Sequence, residues 1–62
     1  MRELIGDVTV YYPGKLADRR DEVITFAAEM IIEHKVTSEK MVKVFENKRH
    51  ELMAVVARKE QK

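Results

Sequence analysis

A chain of 62 residues with no cysteine has only side-chain packing to hold it together. A domain of that size buries about 60% of the surface its unfolded form exposes, so a lone monomer is marginal. Disulfides are excluded, and two histidines without a thiol do not make a structural zinc site, so no metal and no cofactor are expected. The remaining sources of stability are dense packing and self-association, and we expect a homodimer or higher oligomer. An apolar fraction of 45% against 37% charged residues suffices for collapse and excludes a disordered tail. No apolar run approaches the ~18 residues of a membrane span, and Met1-Arg2-Glu3-Leu4-Ile5-Gly6-Asp7 lacks the apolar stretch of a signal peptide. A cytoplasmic protein without a membrane partner is therefore expected.

Hydrophobic period divides the chain. Asp7-Val8-Thr9-Val10-Tyr11-Tyr12 alternates at period two and reads as a short strand over about 7–12, with Val8, Val10 and Tyr12 on one face and Asp7, Thr9 and Tyr11 on the other. The only proline follows, and Tyr12-Pro13-Gly14-Lys15 has the composition of a type II turn. With no second strand pattern after that turn, the strand is expected to pair with a copy of itself in another chain or to lie exposed as an arm.

From Asp18, a plausible N-cap, the period becomes helical as far as about His34, with Asp21 and Glu22 in the first turn. Val23, Ile24, Phe26, Ala27, Ala28, Met30, Ile31 and Ile32 cover an arc of roughly 240°, which predicts a central helix packed on two or more sides. His34-Lys35-Val36-Thr37-Ser38 reads as the break, with Thr37 or Ser38 capping a second helix over about 38–58. Met41, Val42, Val44, Phe45, Leu52, Met53, Val55 and Val56 would line its apolar face. Lys48 and Arg49 interrupt that stripe; their stems would lie over the core with heads reaching Glu29 or Glu33, or they mark a ligand or phosphate contact. The tail 59–62 should fray. The predicted fold is α+β and mostly α: one small domain over 1–62, with a short N-terminal strand or arm followed by a two-helix hairpin, assembled as a homodimer.

Catalytic chemistry finds little support. His34 falls in the corner and His50 on the polar side of the expected second helix, with no thiol and no nucleophile turn, so no enzyme is expected. Glu29 with Glu33 reads as a solvated wedge, and Glu46 with His50 as a surface pair. Charge is uneven: residues 1–36 carry five Lys/Arg against seven Asp/Glu and residues 37–62 seven against four, that is −2 and +3.

Strand, helix, capped corner and helix in this order resemble the ribbon-helix-helix family of DNA-binding regulators, through Val8-Thr9-Val10-Tyr11-Tyr12-Pro13 as the ribbon and Val36-Thr37-Ser38-Glu39-Lys40-Met41 as the corner. The resemblance implies that two chains pair their strands, that the ribbon enters the major groove, and that the second helix's N-terminus receives a phosphate. Thr9, Tyr11, Thr37, Ser38, Lys40 and Lys43 would then contact nucleic acid, and Val8, Val10, Tyr12, Phe26, Met30, Ile31, Phe45 and Leu52 would form the dimer interface. The stretch from Ile31 to Val42 also resembles a helix-turn-helix corner, with Lys40, Lys43 and Asn47 on the polar side of the second helix. The expected function is a small homodimeric DNA-binding transcriptional regulator; the alternative is a protein-binding adaptor or inhibitor acting through an apolar helical surface.

Overall fold

In the computed structural model, which describes residues 1–59, two β-hairpins flank one helix and join into a single four-stranded sheet. The elements are β1 (Arg2–Ile5), β2 (Val8–Tyr11), a 3-10 turn (Gly14–Arg19), α1 (Arg20–His34), β3 (Lys40–Glu46) and β4 (Leu52–Arg58). Sheet order follows chain order; β1/β2 and β3/β4 are antiparallel, and β2/β3 is parallel.

The expected strand is present, and its partners lie within the same chain. Ile5 sits opposite Val8, which leaves Gly6-Asp7 as a two-residue turn. Gly6 supplies the positive φ of 62° that the first position of a type II′ turn demands, and Asp7 needs none. The ladder runs one pair further, with the Tyr12 N–H donating to the Met1 carbonyl at 2.9 Å and the Met1 ammonium donating to the Tyr12 carbonyl. On its other side β2 pairs with β3 through Thr9↔Met41, Val10↔Val42 and Tyr11↔Lys43.

A parallel pair needs a crossover, and residues 14–34 provide it. Pro13 is extended, and its carbonyl accepts from the Leu16 N–H at 3.0 Å to open the 3-10 turn; Gly14 does not adopt positive φ, so the expected type II turn is not formed. Asp18 therefore lies inside the 3-10 turn, and Arg19 occupies the N-cap position of α1 without a side-chain capping bond. Asp21 and Glu22 fall in the first turn of α1 as expected. The helix ends where the sequence breaks: Lys35 turns left-handed (φ 52°), the Val36 N–H donates to the Ile31 carbonyl at 3.0 Å and the Lys35 N–H to the Ile32 carbonyl at 3.4 Å. This is a Schellman ending, sealed by buried Val36.

Val8, Val10 and Tyr12 of the β2 segment, Val42 and Val44 of β3, Leu16, and Val23 and Ala27 of α1 form the buried core with Val36. Only one face of the helix meets the sheet. Ile32, on its far side, is 78% exposed, so the helix expected to be central is one layer of two.

The second helix expected over 38–58 is not formed, and the fold is neither mostly α nor a two-helix hairpin. Residues 36–39 form a turn into β3, where the Lys40 N–H bonds the Thr37 carbonyl at 3.0 Å, so neither Thr37 nor Ser38 caps a helix. Lys48 and Arg49, read as an interruption of an apolar stripe, are the exposed tip of the β3–β4 hairpin. Asn47 shapes that tip: its Oδ1 accepts from the backbone N–H groups of Arg49 at 2.8 Å and Glu51 at 3.0 Å, and His50 completes the loop at φ 63°. Of the tail expected to fray, residues 60–62 lie outside the described residues.

Lys35 holds a left-handed conformation that glycine adopts without a Cβ clash. Lys35→Gly is expected to stabilise the fold by about 0.5–1 kcal/mol, raising Tm by roughly 3–8 °C in thermal melts.

Candidate nucleic-acid interface

Strand alternation sends Glu3, Ile5, Val8, Val10, Val42, Val44, Ala54 and Val56 toward α1. No described element packs on the opposite face. It carries Arg2 and Leu4 of β1, Thr9 and Tyr11 of β2, Met41, Lys43 and Phe45 of β3, and Met53, Val55 and Ala57 of β4. Register arranges them in rows: Leu4, Thr9, Met41 and Ala57; then Arg2, Tyr11, Lys43 and Val55; then Phe45 and Met53.

This open face is unusually apolar for one in contact with water. Leu4, Tyr11, Phe45, Met53 and Val55 are each at least 38% exposed, and all lie on it. A strand apolar on both faces belongs to a sheet covered on both. Tyr11 and Lys43 are lateral neighbours on the two central strands, and Phe45 stands two residues beyond Lys43 on the same face, diagonal to Tyr11. Tyr11, Met41, Lys43 and Lys59 line a concavity of 620 Å³.

The charged strand residues of this face, Arg2 and Lys43, are both cations; just outside the strands, Lys59 follows β4 and Glu39, whose carbonyl accepts from the Lys59 N–H, precedes β3. The strand carboxylates, Glu3 and Glu46, stand on the helix side, where two successive arginines engage them. Arg20 grips Glu3 with a fork of two 3.0 Å bonds, and the Tyr12 hydroxyl adds a third at 3.3 Å. Arg19 donates to Glu46 and to Glu22, both at 2.7 Å, and to the His50 carbonyl at 3.2 Å. The Arg20 bonds hold the Glu3 carboxyl below the usual range against some desolvation. Burial raises that of Glu46, but the bonds from His50 and Arg19 outweigh it and leave it lowered. Burial, then the neighbouring Glu3 charge, pushes the Tyr12 phenol up. His50 stands 3.5 Å from Glu46, so the expected surface pair exists, across a hairpin and not along a helix.

The residues expected to touch nucleic acid are divided by this geometry. Tyr11 and Lys43 come together at the centre of the open face, whereas Thr9, on the same face, is only 6% exposed. Lys40 belongs to the helix side of β3, and Thr37 and Ser38 are exposed in the turn before it. Of the expected dimer residues, Val8, Val10 and Tyr12 are buried in the chain's own core. Phe26, Met30, Ile31 and Leu52 are half-buried at the helix–sheet seam, and Phe45 stands 40% exposed on the open face. Arg2, and Phe45 as a ring on the platform, escaped sequence reasoning; the period-two pattern of Lys-Met-Val-Lys-Val-Phe-Glu over 40–46 was the signal for Phe45.

Among the described residues no helix is long and apolar enough to cross a membrane, and no three metal-ligating side chains cluster. No protein-family model matches the chain, and neither a curated protein nor a solved structure does.

Because Glu3 and Glu46 are lowered from their ordinary 4.5, the unfolded chain takes up their protons first as pH falls. Stability from both carboxylates is thus present above about pH 4.5 and lost below it. Melts between pH 7 and 3 should show Glu3→Gln and Glu46→Gln losing stability at neutral pH and flattening the acid decline.

Proposed function

We propose that this protein binds single-stranded nucleic acid on the open face of its sheet. The observation that carries the reading is the cluster of Tyr11, Lys43 and Phe45, two rings and an ammonium on adjacent central strands of an exposed face whose strands hold no carboxylate. Base stacking on aromatic side chains together with cations along the backbone is the chemistry by which sheets take unpaired strands, at about 1–3 kcal/mol per stacked base.

Three considerations favour this occupant. Unstacked bases are apolar on their faces and would cover the rings, Met53 and Val55, while phosphates would meet Arg2, Lys43 and Lys59. A second copy packed face to face would bring the two Lys43 ammoniums toward each other with no strand carboxylate to neutralise them, a costly burial. Duplex DNA is disfavoured because α1 exposes Asp21, Glu22, Glu29 and Glu33, and β2, the strand expected to form the groove-entering ribbon, is paired on both edges inside the sheet. Relative to the regulator expected from sequence, this reading keeps a nucleic-acid partner but gives up the intermolecular ribbon that would enter the groove and the second helix whose N-terminus would receive a phosphate. A cytoplasmic location and a regulatory role belong to this same proposal.

Fluorescence anisotropy with labelled single-stranded DNA and RNA oligonucleotides at low ionic strength should show binding that weakens with salt. Tyr11→Ala and Phe45→Ala should each cost about 1–3 kcal/mol, and Tyr11→Phe much less. Lys43→Ala should reduce the slope of log K against log salt by about 0.7 if it contacts one phosphate. No binding at tens of micromolar protein would sink the reading and assign the apolar face to a protein partner.

A further inference from the structure

β4 is the outer edge of the sheet, and among the described residues no strand pairs with its far side. Which of its groups are left open follows from two hydrogen bonds. The Asn47 N–H donates to the Glu51 carbonyl at 3.0 Å and the Lys59 N–H to the Glu39 carbonyl at 2.8 Å, which marks the odd-numbered residues of β4 as those bonded to β3. The N–H and C=O groups of Leu52, Ala54, Val56 and Arg58 therefore point outward. This is a seven-residue edge with no proline, no glycine, and no charge before its last residue. Natural sheets usually protect such an edge, and this one is left bare.

A second observation says what covers it. The groove between β4 and α1 is lined by Asp21, Glu22, Thr25, Phe26, Glu29 and Leu52. It holds three carboxylates and no cation, and Glu22 already engages Arg19, which leaves Glu29 in no ion pair among the described residues. At the other end of the strand, Arg58 is exposed on the helix side and also in no ion pair among them.

We propose that two copies of this chain pair their β4 strands antiparallel about a two-fold axis at Val55, forming one continuous eight-stranded sheet. Full overlap of the seven residues places Ala54 opposite the partner's Val56, both with outward N–H and C=O groups, so their bonds close. The same register places the partner's Arg58 opposite Leu52 on the helix side. Its stem then lies on Leu52 and Phe26, with the guanidinium at Glu29, and the two-fold axis repeats the contact. Hydrogen-bond phase admits only registers in which even-numbered residues face one another, and among these full overlap and the pairing of Arg58 with Glu29 pick the one centred on Val55. The dimer needs no nucleic acid and does not rest on the reading of the open face; it sets two such faces side by side on one surface.

The dimer is tested by sedimentation equilibrium near 100 µM, where twice the 7.3 kDa chain mass is expected. Ala54→Pro deletes an outward N–H at an edge position that tolerates proline, and should give a monomer with an unchanged circular dichroism spectrum. If that variant unfolds, Arg58→Glu decides: dimerisation should weaken by about tenfold or more, and Glu29→Arg combined with Arg58→Glu should restore it. The chain has no cysteine, so Val55→Cys reports the axis directly. In a non-hydrogen-bonded antiparallel pair the two Cα atoms lie about 4.5 Å apart, within disulfide range, and mild oxidation should link the chains. Lys43→Cys, at the centre of the open face, should not link. A monomeric wild type, a folded Ala54→Pro variant that remains dimeric, an Arg58→Glu variant of unchanged affinity, or Lys43→Cys linking as readily as Val55→Cys would each overturn the proposal.

Discussion

Val10 lies beside Val42 in a parallel register, and both are sealed beneath Val23 and Ala27 of the helix; the remaining architecture follows from that contact. Parallel strands cannot be joined by a tight turn, so the chain must leave the sheet, cross one face and return. Among the described residues there are one crossover helix and two hairpins, and the helix covers one face of the sheet. That face is dry, and no described element packs on the other. Strands that alternate large apolar residues onto both faces make that asymmetry consequential, because Leu4, Phe45, Met53 and Val55 gain nothing from the helix.

Arg19 and Arg20 sort the charges between the two faces. They stand at the start of α1, where cations oppose the helix dipole, and in a free helix they would be unfavourable. Here they reach in opposite directions, Arg20 to Glu3 on β1 and Arg19 to Glu46 at the end of β3, tying the helix start to both sides of the sheet. The carboxylates so engaged lie on the covered side. On the strands of the open side Arg2 and Lys43 stand in no ion pair among the described residues, and the absence of a carboxylate on those strands is a consequence of how the helix is fastened.

The positions of the first strand and of the helix end were legible in the sequence, whereas the turn at 12–15, the helix caps and the strand pairing were not. The strand at 7–12, the helix end near His34 and the break after it all appear where period and composition place them. The four residues before that strand were too short to show a period, although Gly6-Asp7 between Ile5 and Val8 has the chemistry of a hairpin turn. Over 40–58 the error was one of period. Apolar residues at 41, 42, 44 and 45 and again at 52, 53, 55 and 56 satisfy a helical face, yet two strands apolar on both faces yield the same string. Lys48 and Arg49 were the arbiters: a charged pair that breaks an apolar stripe is costly on a helix and ordinary at a hairpin tip. For the candidate site, Tyr11 and Lys43 could be named from residue type, but their adjacency depends on the β2–β3 register, which no local pattern encodes. Phe45 was assigned to a self-interface for want of that same register.

The order in which contacts span the chain also has a kinetic meaning. Each hairpin closes between residues a few positions apart, with Ile5 against Val8 and Glu46 against Leu52, and so can form within microseconds. Val10 and Val42 are 32 positions apart (42 − 10), and their pairing must await closure of the whole segment that holds the helix. The folding barrier accordingly falls at the centre of the sheet, where two preformed ribbons dock, and until they do the long β4 edge is exposed beside an unfinished core.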